Sequence, residues 1–416
     1  MNKSNSAEDT DNNILFVSRQ PIYSPSSDLF AYELLYSLEV IEQVLAARGE
    51  RAGADVFLKT LQNAGLEPIL GDTLAFINIT PTFILEDYCK ALPKEKVVFE
   101  IRGHAEPDEA VVRSLSALRQ SGYNFALDEF AYTEQTRPIL ELANYAYLNF
   151  QGLTPEEISK QLAMLKQSNV KAIAKRVDTH AELDLAKSMG FEYFKGSSFT
   201  RPKVTTSARV PVNRLSTLQL VLKLQEADLE SAELEKIVKQ DLAISYKLLQ
   251  YVNSAAVSLP RTVESIKTAI QLIGTERLRT WASLLYLSKL DDKPAELIIT
   301  ALVRAKMAEG LATAMGVKNV DTYYMVGLFS LVDAMLNVPM SEAIQLLPFS
   351  KEIRDALLKQ EGSCGSVLKC VLSYETGDWN QVSSIGLDAA TIRRCYLDSV
   401  SAARNMPKTS KSAGSR

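Results

Sequence analysis

The chain has 416 residues, 46% of them hydrophobic and 23% charged, which suffices for two or three domains with apolar cores. A formal net charge of −4 excludes both a global basic surface of the kind that gathers nucleic acid and an acidic solvating chain. Four scattered cysteines and two histidines exclude a disulfide framework and leave a structural zinc site short of ligands.

The opening MNKSNSAEDTDNN lacks the basic-then-apolar order of a signal peptide, and no apolar run reaches the roughly 18 residues that cross a bilayer. A cytoplasmic protein without membrane contact is expected. Residues 1–13 and 406–416 (MPKTSKSAGSR) read as disordered tails, being short of large apolar side chains.

Between the tails the texture changes near residue 200. Short β-branched or aromatic runs come first: ILFVS (14–18), FAYELLY (30–36), LAFINIT (74–80), VVFEI (97–101), YNFALDEF (123–130), YAYLNF (145–150), KAIAKRV (171–177) and EYFKG (192–196). Helices alternate with them. Pro107-Asp108-Glu109 opens one with Val111, Leu115 and Leu118 on a face; Thr154-Pro155-Glu156-Glu157 opens another; Asp178-Thr179 starts a third that ends at Gly190. This alternation predicts a closed α/β barrel over residues 14–202, with two strands back to back at its start around a Ser/Pro turn. An open doubly wound sheet is the weaker alternative, because no Gly-rich phosphate loop is present.

After residue 210 the pattern becomes helical, with stretches at 213–226, 231–240, 243–253, 265–273, 276–290, 295–315, 322–336 and 341–347. Residues 203–405 therefore read as one all-α domain. Arg261, Lys267, Arg277 and Arg279 form a candidate basic face for an acidic partner, phosphate or nucleotide; a solvated surface linked to Glu264 and Glu276 is the plainer reading. Trp281 fits the core of an amphipathic helix, and His104 and His180 fit loop or cap positions.

In α/β barrels chemistry gathers at the C-terminal ends of the strands. Glu33, Asn78, Glu100 and the pair Asp128-Glu129 fall there, and hard oxygen donors from several strands suit magnesium, manganese or calcium. Solvated strand ends are the alternative reading of the same residues.

The run RQPIYSPSSDLFAYELLYS (19–37) resembles the opening of EAL domains, the TIM-like barrels of cyclic di-GMP phosphodiesterases. Gln20-Pro21-Ile22 matches the family's QPI, and Glu33-Leu34-Leu35 stands at the EAL signature. Asn78 in FINIT, Glu100 in VVFEIRG and Asp128 in FALDEF match family metal-site positions. The resemblance thus implies that Glu33, Asn78, Glu100 and Asp128, with Glu129 beside them, are remnants of a metal site.

Substitutions run against activity. Ser37 stands where active members keep an arginine for the substrate phosphate, Glu129 replaces an aspartate and Ala131 a glycine. Asn149 replaces the catalytic lysine and Gln151 the following aspartate. Lys175 and Arg176 occupy a glutamate and a glycine, Asp178 shortens a glutamate, and Lys195 replaces a glutamine. A lysine aimed into the mouth competes with a divalent ion for the remaining acids. No catalytic residue and no cofactor are expected; magnesium or manganese would enter only with a residual site. The mouth could still hold one ion or an anion.

The segment 212–281, notably IVKQDLAISYKLLQYVNSA, LPRTVESIKTAIQLIG and Glu276-Arg277-Leu278-Arg279, resembles HDOD domains, relatives of HD phosphohydrolases that have lost the metal-binding His and Asp. Ser330 and Leu331 stand at the former HD step, and the helical half contains no histidine at all. The expectation is a non-catalytic bacterial signalling protein acting through a protein partner, with a cyclic dinucleotide as the other candidate ligand and self-association left open. A residual metal-dependent phosphodiesterase and a cyclic dinucleotide sensor without turnover are the alternatives.

Overall fold

The computed structural model describes residues 16–36, 55, 57–59, 61, 62, 65–102, 108–130, 132–203, 210–226, 228–253, 263–287, 290 and 293–404. The two tails, Ser37, His104, Ala131 and Arg261 lie outside the described residues, as does the side chain of Arg277.

Eight strands close into a barrel in chain order: β1 Val17–Tyr23, β2 Leu29–Tyr36, β3 Leu74–Asn78, β4 Val97–Arg102, β5 Asn124–Asp128, β6 Tyr145–Asn149, β7 Lys171–Lys175 and β8 Tyr193–Lys195. Strands β2 to β8 run parallel, and β1 is antiparallel to both its neighbours. The expected back-to-back pair is present, joined by a turn in which the Ser24 backbone bonds Asp28. The first strand, however, runs through Pro21 to Tyr23 rather than ending at residue 18. Arg19 N–H faces away from β2, so the nitrogen of Pro21, two residues on, faces the same way, where a ladder donor is least needed.

The two-residue period of the strands builds two apolar layers. Ile22, Ala31, Phe76, Val98, Ala126, Tyr147 and Ile173 pack inside the barrel. The alternate residues, such as Leu34, Ile77, Phe99, Leu127, Leu148 and Ala174, face the surrounding helices. Those helices start where their caps predict. α1 (Glu109–Gln120) is capped by Asp108, while α2 (Pro155–Gln167) and α3 (His180–Met189) each carry a reciprocal Thr–Glu capping box, Thr154–Glu157 and Thr179–Glu182.

The chain divides into two compact units, Met1–Phe199 with Cys370–Leu397, and Thr200–Lys369 with Asp398–Arg416. The sequence reading had kept 203–405 together, whereas the structure sets Cys370–Leu397 with the barrel. The physical reason is aromatic: Phe16 stacks on Trp379 and meets Tyr374 edge-on, with ring centroids 5.4 and 5.5 Å apart.

The second unit is helical: α4 Val212–Leu224, α5 Ser231–Lys239, α6 Leu242–Val252, α7 Ile266–Ile273, α8 Thr275–Leu287, α9 Ala295–Ala314, α10 Val320–Phe329, α11 Val332–Leu336 and α12 Lys351–Lys359. Asn253 ends α6 and ties its side chain to both the N–H and the carbonyl of Val263, each at 2.7 Å. The helix expected at 322–336 is broken in two, because Ser330 turns its hydroxyl back to the Gly327 carbonyl and Asp333 caps the Ala334 N–H. Helices α9 and α10 approach so closely that a Cβ on Gly327 would lie 2.5 Å from the Arg304 carbonyl oxygen. The last two long helices are α13 (Gly362–Thr376) and α14 (Ala389–Arg404). No described helix is long and apolar enough to cross a membrane.

Candidate functional site at the barrel mouth

Strand alternation carries the site. Counting two residues on from the inner apolar layer brings Glu33, Asn78, Glu100, Asp128, Asn149, Lys175 and Lys195 to the lumen face at the C-terminal ends of β2 to β8. The registers Asn78↔Glu100, Asn149↔Lys175 and Lys175↔Lys195 place these residues level with one another. Gln20, paired with Glu33, joins the same level from β1.

The acids of this ring are already engaged. Lys195 Nζ donates to Glu33 Oε2, and both side chains are about nine-tenths buried. Lys175 Nζ donates to both carboxylate oxygens of Asp128 at 2.9 Å and lies 5.5 Å from the centre of the Tyr147 ring. Glu100, 1% exposed, accepts from the Tyr147 hydroxyl at 2.5 Å. Burial pushes the Glu100 carboxyl well above the usual carboxylate range; repulsion from Glu33 adds to this, while Lys195 and the Tyr147 hydrogen bond oppose it. Burial also raises the Tyr147 and Tyr36 phenols, with Glu100 and Glu33 reinforcing the effect, so both stay neutral donors. Burial alone would lower the Lys175 ammonium, but the charge and hydrogen bonds of Asp128, with Glu33 and Glu100 behind it, outweigh that and raise it.

A pair of divalent ions needs several open carboxylates at about 2–2.5 Å from each metal. Here Asp128 gives both oxygens to one ammonium, Glu33 is paired with another, and Glu100 is held in a phenol contact in the low-dielectric interior. Arranged in this way, the donor set does not fit such a pair. Among the described residues, no group of three or more His, Cys, Asp or Glu side chains could hold a metal ion.

The remaining expected positions scatter. Glu129 has a left-handed backbone, φ 51°, and is exposed, as is Arg176 at φ 63°. Asp178 leaves the ring: its Oδ1 accepts from the Ser197 N–H and hydroxyl at 2.9 Å, and its Oδ2 accepts from Gln151 at 3.1 Å. Asn149 is exposed, and its side-chain oxygen accepts from the Gln151 N–H. The sequence sets Lys175 among the ring acids, and the structure pairs it with Asp128; the pairing of Lys195 with Glu33 and the role of Tyr147 have no counterpart in the sequence reading. The alternation Tyr145, Tyr147, Asn149 carried the signal for that tyrosine.

Beside the ring a pocket of about 970 Å³ opens next to Glu33 and Asn78, lined also by Ile84, Val111 and Thr376–Asn380. Its size suits a small ligand. In the second unit, Lys267 is exposed, but Arg279 is 4% exposed and belongs to the interior, so it is removed from the candidate basic face. Trp281, at 4% exposure, is a core residue. Ser330 accepts from the Arg304 guanidinium at 3.1 Å.

Comparison with known proteins gives these likenesses. The HDOD domain family matches residues 211–350. Over 404 residues the chain is 28% identical to a Bacillus subtilis protein called "Uncharacterized protein YuxH", covering 94% of this chain and 98% of that one. It is 26% identical over 394 residues to "Cyclic di-GMP phosphodiesterase CdgJ" of Vibrio cholerae, covering 92% and 91%. Among solved structures, a standalone EAL protein from Vibrio cholerae in its c-di-GMP-bound form matches 45% of this chain and 91% of its own, at 19% identity and a TM-score of 0.36.

Proposed function

We propose that this chain, with an EAL-like barrel and an HDOD-family match over residues 211–350, is a non-catalytic regulatory protein of cyclic di-GMP-type signalling that works by binding a protein partner. One observation carries the reading: the ammonium groups of Lys175 and Lys195 occupy the carboxylates that a metal-dependent phosphodiesterase would leave open. Loss of a positioned acid or base alone lowers such rates by roughly 10²–10⁴, and here several positions have changed together.

The likeness to CdgJ, whose name is that of a phosphodiesterase, favours a second reading in which the same ring turns over a cyclic dinucleotide. A turnover assay on the purified full chain with magnesium and with manganese separates the two. The first reading expects no product above background. Product formation that is abolished by Asp128→Asn would establish the second. Calorimetry with cyclic di-GMP, run beside the assay, tests binding without turnover: heat release without product would make the protein a sensor. Pull-downs with the full chain then address the protein partner.

A further inference from the structure

The barrel has a gap in its seam. Strand β2 pairs with all of β1, from Val17 to Tyr23, but β8 is three residues long and reaches β1 only at Tyr23↔Phe194. In an antiparallel pair, alternate residues turn their backbone groups away from the partner strand. At Val17 and Arg19 those groups, a carbonyl and an N–H two residues apart, face the side on which β8 offers no ladder. A buried backbone group left without a partner is strongly destabilising.

Two hydroxyls from the far end of the chain meet these groups. The Tyr374 hydroxyl donates to the Val17 carbonyl at 3.3 Å, and the Arg19 N–H donates to the Tyr396 oxygen at 3.1 Å. Both tyrosines are buried, at 0% and 3% exposure, with ring centroids 4.6 Å apart. Trp379 and Phe16 close the cluster around Tyr374. Pro21, whose nitrogen has no proton to offer, continues the same edge toward Tyr23.

We propose that Cys370–Leu397 is a clasp that completes the seam of the barrel, its two tyrosine hydroxyls standing in for the missing strand ladder at Val17 and Arg19. The barrel is then a discontinuous domain whose first strand is held by residues that follow the HDOD domain. The clasp also forms a wall of the candidate site, since Thr376–Asn380 line the pocket beside Glu33 and Asn78. The wall of that pocket is therefore complete only in a chain that includes this segment.

Hydrogen–deuterium exchange on the full chain tests the proposal with the single variants Tyr374→Phe and Tyr396→Phe, which keep both rings and remove one hydroxyl each, and with the double variant. The expected result is exchange about tenfold faster in the peptide covering 16–23 for the double variant, with a smaller rise for each single variant and peptides of β5 and β6 unchanged. If 370–397 loosens while 16–23 exchanges at the parent rate, the segment merely rests on the barrel and the proposal fails. It fails equally if every peptide speeds up together in both single variants, since the hydroxyls would then support the whole fold rather than the seam. Should the double variant not fold, Tyr396→Phe alone decides, because it removes the acceptor of the Arg19 N–H.

Discussion

Replacing Lys195 with methionine keeps the volume of the side chain and removes the ammonium that faces Glu33. Both members of this pair are 10% exposed, so water offers the orphaned carboxylate little relief, and the nearest other acid, Glu100, is fully buried. Removing one partner of a buried pair is destabilising by about 3–5 kcal/mol. With a urea m-value near 3 kcal/mol/M for a unit of this size, the unfolding midpoint should fall by about 1–1.7 M. The chain has two tryptophans, and Trp379 belongs to the barrel unit, so a Trp281→Phe background turns fluorescence into a report on that unit alone. Adding Glu33→Gln to Lys195→Met removes the stranded charge and should return the midpoint most of the way, giving a coupling energy of about 2 kcal/mol or more. Lys175→Met is the internal comparison. Its pair with Asp128 is 30% and 15% exposed, so a smaller loss of about 1–2 kcal/mol is expected. A shift below about 0.3 M for Lys195→Met, or a double variant as weak as the two single losses combined, would show that the ammonium does not neutralise the mouth.

Further outcomes follow from the same geometry. Tyr147→Phe strips the hydrogen bond from the buried Glu100 carboxyl and should destabilise the barrel unit by about 1–3 kcal/mol, read by the same fluorescence; a change under about 0.5 kcal/mol would contradict the contact. Millimolar magnesium or manganese should leave the urea midpoint unmoved, whereas a site filled at 100 times its Kd would add about 2.7 kcal/mol. Gly327→Ala drives a methyl into the Arg304 carbonyl and should weaken the helical unit by about 1–3 kcal/mol, followed through Trp281 in a Trp379→Phe background. The Thr154 N–H and hydroxyl hold the Glu157 carboxyl below its usual range, so its support of α2 is present at neutral pH and is lost as pH falls through that lowered value. Glu157→Gln should remove that acid-side loss, measurable by exchange at the first turn of α2.

Much of this was legible in the sequence. The runs at 74–80, 97–101, 123–130, 145–150 and 171–177 declare strands through β-branched and aromatic density; the structure shortens four of them by one to three residues and carries the second one residue further, to Arg102. The cap residues Asp108, Thr154 and Thr179 fixed the helix starts because capping is local chemistry. The extent of β1 was not legible, because the run ILFVS stops at residue 18 whereas the strand continues through Pro21, whose missing N–H falls on the open side of the seam. The ring acids were visible as strand-end residues, but their partners were not. Lys195 is 162 residues from Glu33, and Tyr396 is 377 from Arg19, so no local pattern marks either contact. Arg279 looked like part of a basic stripe because charge alone does not reveal which face of an amphipathic helix is covered.

The incomplete ladder along Val17–Arg19 also has a temporal side. During synthesis, roughly 180 to 200 residues separate the end of β8 from the tyrosines that answer those groups, which at about 5–20 residues per second is about 10–40 s of waiting. Throughout that interval the nascent barrel would display bare strand backbone of the kind that recruits a foreign strand. A charged or proline-bearing edge is a common safeguard, and Arg19 and Pro21 stand on that stretch. The order in which this polypeptide emerges thus leaves its oldest strand waiting for its newest helices.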